Sequence, residues 1–263
     1  MNIDGKTALV TGATGGLGIA IARELHAAGA KLVLTGRRRE VLEELAAEVK
    51  GKFFVCDLAD RAQLEELARS HADVDILINN AGLPGTGFFL DFEMDRIDRI
   101  LDVNLRAAIY LTRVAAEKMA ERRSGHVVFV SSVAGLIGSP RGSIYSATKF
   151  GLRGFAQALR HDLAELGIGV STILPGFVRE AGMFAETGLE PPQGLGTSSP
   201  KEVAVEVRKA IENNKAEIVV APLQTKIAAT IGSLLPSLSQ RVQASSIARQ
   251  FATKLSESQR EKL

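Results

Sequence analysis

Tyr145 and Lys149 stand four residues apart in Ser143-Ile144-Tyr145-Ser146-Ala147-Thr148-Lys149, and the helical pattern continues to Leu159. Residues i and i+4 share one helix face, so a phenol and an ammonium at these positions meet at one point. A free tyrosine ionises at about pH 10. A neighbouring ammonium favours the phenolate and is expected to bring that value toward neutrality. The chemistry on offer is proton transfer to or from a hydroxyl or carbonyl oxygen. On its own the spacing better suits a solvated pair on a helix surface.

Two further elements must position this pair. Gly125-His126-Val127-Val128-Phe129-Val130 is β-branched and apolar and predicts a buried strand, with Ser131-Ser132-Val133-Ala134-Gly135 as the loop leaving it. Ligands of open α/β sheets bind at such carboxyl ends, where the Ser132 hydroxyl can hydrogen-bond a substrate oxygen; on its own, Ser132 also suits a strand-end serine that caps a turn. Near the N-terminus, the strand Thr7-Ala8-Leu9-Val10-Thr11 runs into Gly12-Ala13-Thr14-Gly15-Gly16-Leu17-Gly18 and then a helical pattern to Ala28. Strand, glycine-rich turn and helix form a phosphate cradle: the backbone approaches closely, and the helix N-terminus offers free N–H groups and partial positive charge. The alternative is an ordinary glycine-rich connection.

With these residues the chain resembles the short-chain dehydrogenase/reductase family, over about residues 3–222. The likeness also rests on Asn79-Asn80-Ala81-Gly82 after the strand Val74–Ile78, on Asp57 in Cys56-Asp57-Leu58, on Asn104, and on Pro175-Gly176 after the strand Gly169–Leu174. The compact, single-domain branch of the family is favoured. The resemblance implies a Rossmann-type, doubly wound parallel α/β sheet with helices on both faces. It implies Tyr145 as acid/base, Lys149 as holder of the nicotinamide ribose, Ser132 as orienter of the carbonyl, and Asn104 as support for a water relay from Lys149. It implies a nicotinamide cofactor held by Gly12, Thr14, Gly15, Gly16, Leu17 and Gly18, by Asp57 and Leu58 at the adenine, and by Asn80, Ala81 and Gly82. Tyr145, Lys149, Pro175, Gly176 and Val178 complete that set.

Charge at the second strand bears on the choice of cofactor. Lys31-Leu32-Val33-Leu34-Thr35 ends in Gly36-Arg37-Arg38-Arg39, with no acidic residue to accept from a ribose 2′-hydroxyl. Arg37 offers a planar fork for a 2′-phosphate, so NADP(H) is expected over NAD(H). Arg39 suits the solvated start of a helix over Glu40–Leu45. Where the family commonly has a threonine at the nicotinamide amide, this chain has Glu180, an acceptor when ionised.

The 263 residues suit one compact unit, and strands alternate with amphipathic helices. A net charge of +2 gives no sign of a nucleic-acid partner. The single cysteine, Cys56, rules out an internal disulfide and suits a reducing, cytoplasmic setting. No apolar run reaches the roughly 18 residues of a membrane span. The four histidines lack metal-ligand spacing, so no metal is expected. Residues 177–200 are expected to form the substrate loop, in which Phe177, Met183, Phe184 and Leu189 suggest an apolar pocket for a lipophilic carbonyl or alcohol. Residues 1–222 are expected to form the catalytic domain and 223–263 a helical extension, packed on it or at a subunit contact. A membrane-surface helix is the other reading of the extension, and Lys254–Lys262 is expected to be a solvated tail. The resemblance implies a homodimer or homotetramer, formed through the helices that hold Asn104 and Tyr145. A non-redox enzyme on this fold, or a cofactor-sensing binding protein, are the functional alternatives to an oxidoreductase.

Overall fold

The computed structural model describes residues 1–71, 73–192 and 194–259. In chain order the strands are β1 (Thr7–Thr11), β2 (Lys31–Gly36), β3 (Lys52–Val55), β4 (Ile76–Asn79), β5 (Gly125–Val130), β6 (Ile168–Pro175), β7 (Phe177–Val178), β8 (Thr197–Ser198) and β9 (Glu217–Val220). The helices are α1 (Gly16–Ala27), α2 (Arg39–Glu48), α3 (Arg61–His71), α4 (Met94–Leu101), α5 (Ala107–Glu121), α6 (Ser143–Ala164), α7 (Pro200–Asn213), α8 (Leu223–Leu234), α9 (Pro236–Gln243) and α10 (Ser246–Ser258). Seven strands form one sheet in the order β3-β2-β1-β4-β5-β6-β9, and every pairing is parallel. The expected Rossmann-type doubly wound sheet is what the chain adopts.

Side-chain alternation along the strands builds a core on each face. On one face Val10, Leu34, Ile78 and Val128 pack with Ile21 and Leu25 of α1, Leu42 of α2, and Val203 and Val207 of α7. Their strand neighbours Leu9, Val33, Leu77 and Phe129 pack with Leu64 and Leu67 of α3, Leu111 of α5, and Leu152 and Ala156 of α6. Strands buried on both faces read as continuous apolar runs, which is why β1, β4 and β5 are legible in the sequence.

Strand order reverses between β1 and β4, so the loops after these neighbouring strands part to opposite faces and leave a crevice at their carboxyl ends. The segment between β6 and α7 crosses that crevice. It closes on α7 through a capping box: the Ser199 hydroxyl accepts from Glu202 N, and the Glu202 carboxylate accepts from Ser199 N.

Candidate active site

The crevice holds a cavity of about 730 Å³. Its floor is the β1 turn clamped to the β4 turn. Thr11 Oγ1 donates to the Ile78 carbonyl (3.1 Å) and accepts from the N–H groups of Asn80 (3.0 Å) and Ala81 (3.1 Å). Asn80 Nδ2 donates back to the carbonyls of Thr11 (2.9 Å) and Gly12 (3.2 Å). Gly12 is left-handed at φ +64°, and a Cβ there would stand 2.8 Å from Ala81 Cα, so this turn needs glycine twice over. The N-terminus of α1 carries no side-chain cap, so its first N–H groups are free for an anion. This cradle fits a phosphate-bearing cofactor.

Tyr145, Lys149 and Ser132 converge on the cavity wall. Lys149, 2 % exposed, donates through Nζ to the Val130 carbonyl at 3.0 Å, and Nζ lies 5.5 Å from the centroid of the Tyr145 ring. Ser132, at the end of β5, accepts from Ala134 N (3.1 Å) and donates to the Pro175 carbonyl (3.4 Å), and its hydroxyl lies near enough to the Tyr145 phenol to act on its ionisation. The expected depression of Tyr145 by Lys149 is not what this arrangement produces. Burial pushes the phenol up to about 12, against a smaller opposing effect of the nearby Ser132 hydroxyl. Burial likewise lowers Lys149 to about 8. Both shifts favour the neutral form because both groups leave water with too little compensating charge.

Asn104 is fully buried and sits in a single π-helical turn, Asp102–Arg106, between α4 and α5. Its Oδ1 accepts from Leu83 N (2.6 Å), and its Nδ2 donates to the Leu83 carbonyl (2.9 Å) and to Thr148 Oγ1 (3.3 Å). The amide therefore fastens the loop after β4 to α6. A Cβ on Gly82 would stand 3.6 Å from both Asn104 Oδ1 and Lys149 Nζ, so both groups face the Gly82 Cα. Nothing in the sequence around Asn104 signals the π turn, a feature that recurs at functional sites.

On the opposite wall Arg37 is exposed and faces the cavity. Arg38 turns back to donate to the Thr14 carbonyl, which ties the end of β2 to the glycine turn. Arg39 pairs with Glu43 and lies over the Phe53 ring, as suits the start of a surface helix. Asp57 accepts from Arg99 at 2.7 Å and from Ala59 N at 3.0 Å. Burial works against its charge, but these two bonds and the positive fields of Arg99 and Arg37 outweigh it, so the carboxyl sits below its usual range. Arg38 and Arg99, both on the cavity wall, are residues that motif reading passes over. Each lies outside the signature positions, and only the fold brings it in. Leu58, Asn80, Ala81, Gly82, Gly176 and Val178 line the cavity with Thr14, Gly15, Gly16, Leu17 and Gly18. Glu180 does not: it is exposed, left-handed at φ +71°, and accepts from Arg179 Nε at 2.9 Å.

The substrate side is built by the segment after Val178 and by the chain's last helices. A Cβ on Gly16 would meet Ala181 Cβ at 2.2 Å, so this segment lies directly on the glycine turn. Phe177 and Phe184 pack at 4.6 Å between centroids, and Phe251 of α10 meets Phe177 edge-on at 5.6 Å. Gln259, 4 % exposed, accepts from Thr86 Oγ1 (2.5 Å) and donates to the Met183 carbonyl (3.0 Å). The expected solvated tail is thus helical to Ser258 and buried at Gln259, because Leu255 and Gln259 form cavity wall; Arg260, Glu261 and Lys262 lie outside the described residues. Cys56 is buried, and burial raises its thiol to about 12. Among the described residues no group of three His, Cys, Asp or Glu side chains could hold a metal ion, and no helix is long and apolar enough to cross a membrane.

Residues 6–191 match the short chain dehydrogenase family model. The chain belongs to the short chain dehydrogenase family. Membership makes it an oxidoreductase of the dehydrogenase/reductase kind. Similar proteins include the ketoacyl reductase HetN of Nostoc sp., 37% identical over 254 residues that cover 91% of this chain and 88% of that protein. The 3-oxoacyl-[acyl-carrier-protein] reductase FabG of Rickettsia conorii is 37% identical over 181 residues, 68% of this chain and 75% of that protein. Among solved structures, a short-chain dehydrogenase from Sphingobium yanoikuyae in complex with NADPH superposes with a TM-score of 0.77. It is 26% identical and covers 89% of this chain and 95% of that one.

Proposed function

We propose that this short-chain dehydrogenase interconverts a lipophilic ketone or aldehyde and the corresponding alcohol with NADP(H), using Tyr145 as acid/base. The observation that carries the reading is the meeting of Ser132, Tyr145 and Lys149 on the wall of a crevice whose floor is the glycine turn leading into the uncapped N-terminus of α1. The cofactor, when bound, supplies the hydride. The protein's share is orientation and one proton. Ser132 and the Tyr145 hydroxyl present a donor pair to a carbonyl oxygen; a phenol near 12 stays protonated at neutral pH and so gives its proton as negative charge develops there. Lys149 is held against the Val130 carbonyl beneath the tyrosine, and Asn104 keeps the loop after β4 in register with α6.

The exposed Arg37 fork, with no acidic side chain at the end of β2, supports NADP(H) over NAD(H). The apolar segment around Phe177, Met183 and Phe184 supports a lipophilic substrate, as does the likeness to proteins named ketoacyl reductases. Residues 1–222 serve as the catalytic domain and 223–263 as an extension packed on it, a division supported by the Phe251 and Gln259 contacts. Exposed Leu101 and Phe150, on α4 and α6, support a homodimer or homotetramer joined through these helices, and the lone buried Cys56 suits a cytoplasmic setting.

The test is oxidation of NADPH and of NADH across lipophilic aldehydes, ketones and 3-oxoacyl thioesters. Turnover with NADPH is expected, with a loss of roughly 10²–10⁴-fold in Tyr145→Phe. Arg37→Asp is expected to weaken NADPH far more than NADH. Full activity in the phenylalanine variant, or equal losses for both cofactors, would contradict the corresponding part of the proposal.

A further inference from the structure

Helices α8 and α9 and the start of α10 leave an apolar face uncovered. Leu223 is 69 % exposed, Leu234 73 %, Val242 62 % and Ile247 72 %, and Ile227, Ile231, Leu235 and Leu238 lie open between them. Residues 223, 227, 231 and 234 follow helical spacing along α8, and 238 and 242 follow it along α9, so the exposed apolar side chains make a stripe on each helix rather than a scatter. The inner side of the same segment is committed: Thr225 and Ala229 are buried, Ala229 packs with Leu136 and Leu174, and Gly232 abuts Ile137. Contiguous exposed apolar surface of this kind marks an interaction site.

The charge on this segment identifies what covers it. Between Glu217 and Glu257 the sequence contains no aspartate or glutamate, while Lys226, Arg241, Arg249 and Lys254 are all present and all exposed. A two-fold contact between copies would set this face against itself and bring like charges together. An anionic lipid surface takes both features at once, with the apolar stripe in the acyl boundary and the cations at the headgroups.

We propose that α8, α9 and the first turn of α10 dock on an anionic phospholipid membrane surface. The same helices wall the cavity through Ala228, Ala229, Gln243 and Leu255. Resting on the reading of a lipophilic substrate, this places the cavity beside the bilayer that would hold that substrate.

The experiment is co-sedimentation of the full chain with phosphatidylcholine vesicles and with 7:3 phosphatidylcholine–phosphatidylglycerol vesicles, at low and high salt. Binding to the anionic vesicles is expected, falling with salt. Each basic residue at such a surface contributes about fivefold to partitioning, so Arg241→Gln with Arg249→Gln is expected to lower it by an order of magnitude or more. The triple variant Ile231→Glu, Leu234→Glu, Leu238→Glu is expected to abolish binding while keeping the far-ultraviolet circular dichroism and the thermal midpoint. Absence of binding to either vesicle overturns the proposal. So does a wild-type dimer that light scattering finds split by the triple variant, since a second copy would then be the occupant. Vesicle binding is read without turnover, so failure here is separable from failure of the carbonyl-reductase reading.

Discussion

Lys149 is the residue on which the acid–base chemistry turns. It is buried with its ammonium on one backbone carbonyl, and burial brings its ionisation to about 8. The group is charged below that pH and neutral above it. Carbonyl reduction is therefore expected to decline as pH rises through about 8, while the phenol near 12 remains protonated across the range. Lys149→Arg, which does not titrate there, should remove that inflection from the pH profile of kcat/KM; a profile unchanged in the variant would assign the inflection elsewhere. The residue types of this site are legible in the sequence because their spacings are local. Their ionisation is not, since it depends on how completely β5 and α6 exclude water. Asn104 shows the same limit: its identity is visible, but the π turn that sends it inward arises only where α4 runs into α5.

At the scale of elements, the glycine turn divides into positions of unequal tolerance. A Cβ on Gly18 would meet the Gly12 carbonyl oxygen at 2.2 Å, whereas one on Gly15 meets the same atom at 3.5 Å, an ordinary contact. Gly18→Ala should therefore destabilise the protein by about 1–3 kcal/mol, and Gly15→Ala should leave the thermal midpoint nearly unchanged. The β5–β6 pair carries a second consequence. His126, on β5, donates through Nε2 to Ser171 Oγ at 2.8 Å, because the serine's own proton goes to the Lys215 carbonyl at 2.6 Å. Burial first, with positive charge from the N-terminus and Arg160, lowers this imidazole to about 3. The unfolded chain binds that proton at about 6.5, so stability falls as pH drops from about 6.5 toward 3. A loss of about 3 kcal/mol is expected at pH 4, flattened in His126→Gln, as read by denaturant unfolding at several pH values.

For the molecule as a whole, the parallel sheet was legible because strands buried on both faces are apolar throughout. The way the chain's end returns to the site was not. Apolar spacing near residues 227–242 announces helix, yet Leu235 before Pro236 leaves the helical region at φ −123° and splits the segment into α8 and α9. The polar run from Lys254 suggests solvent exposure, but Gln259 spends its amide on Thr86 and Met183, partners remote in sequence. Gln259→Ala would take the partners from two half-buried polar groups, the Thr86 hydroxyl and the Met183 carbonyl, a cost of about 1 kcal/mol borne by the loop. Faster hydrogen exchange over residues 181–189 and a raised KM for bulky substrates are the expected outcomes; unchanged exchange would show that Phe251 alone holds the loop.

The order of the sheet also decides how this molecule avoids its own kind. Its two open margins are β3 and β9, each only four residues long. Each begins with a charge, Lys52 on one and Glu217 on the other, and Glu217 is fastened to Arg153 at 2.7 Å. Short margins that carry charge are poor templates for strand addition, so ribbon growth from one copy to the next finds little purchase. Crowding of many copies is therefore met at helical surfaces, where side chains rather than unpaired backbone set the terms.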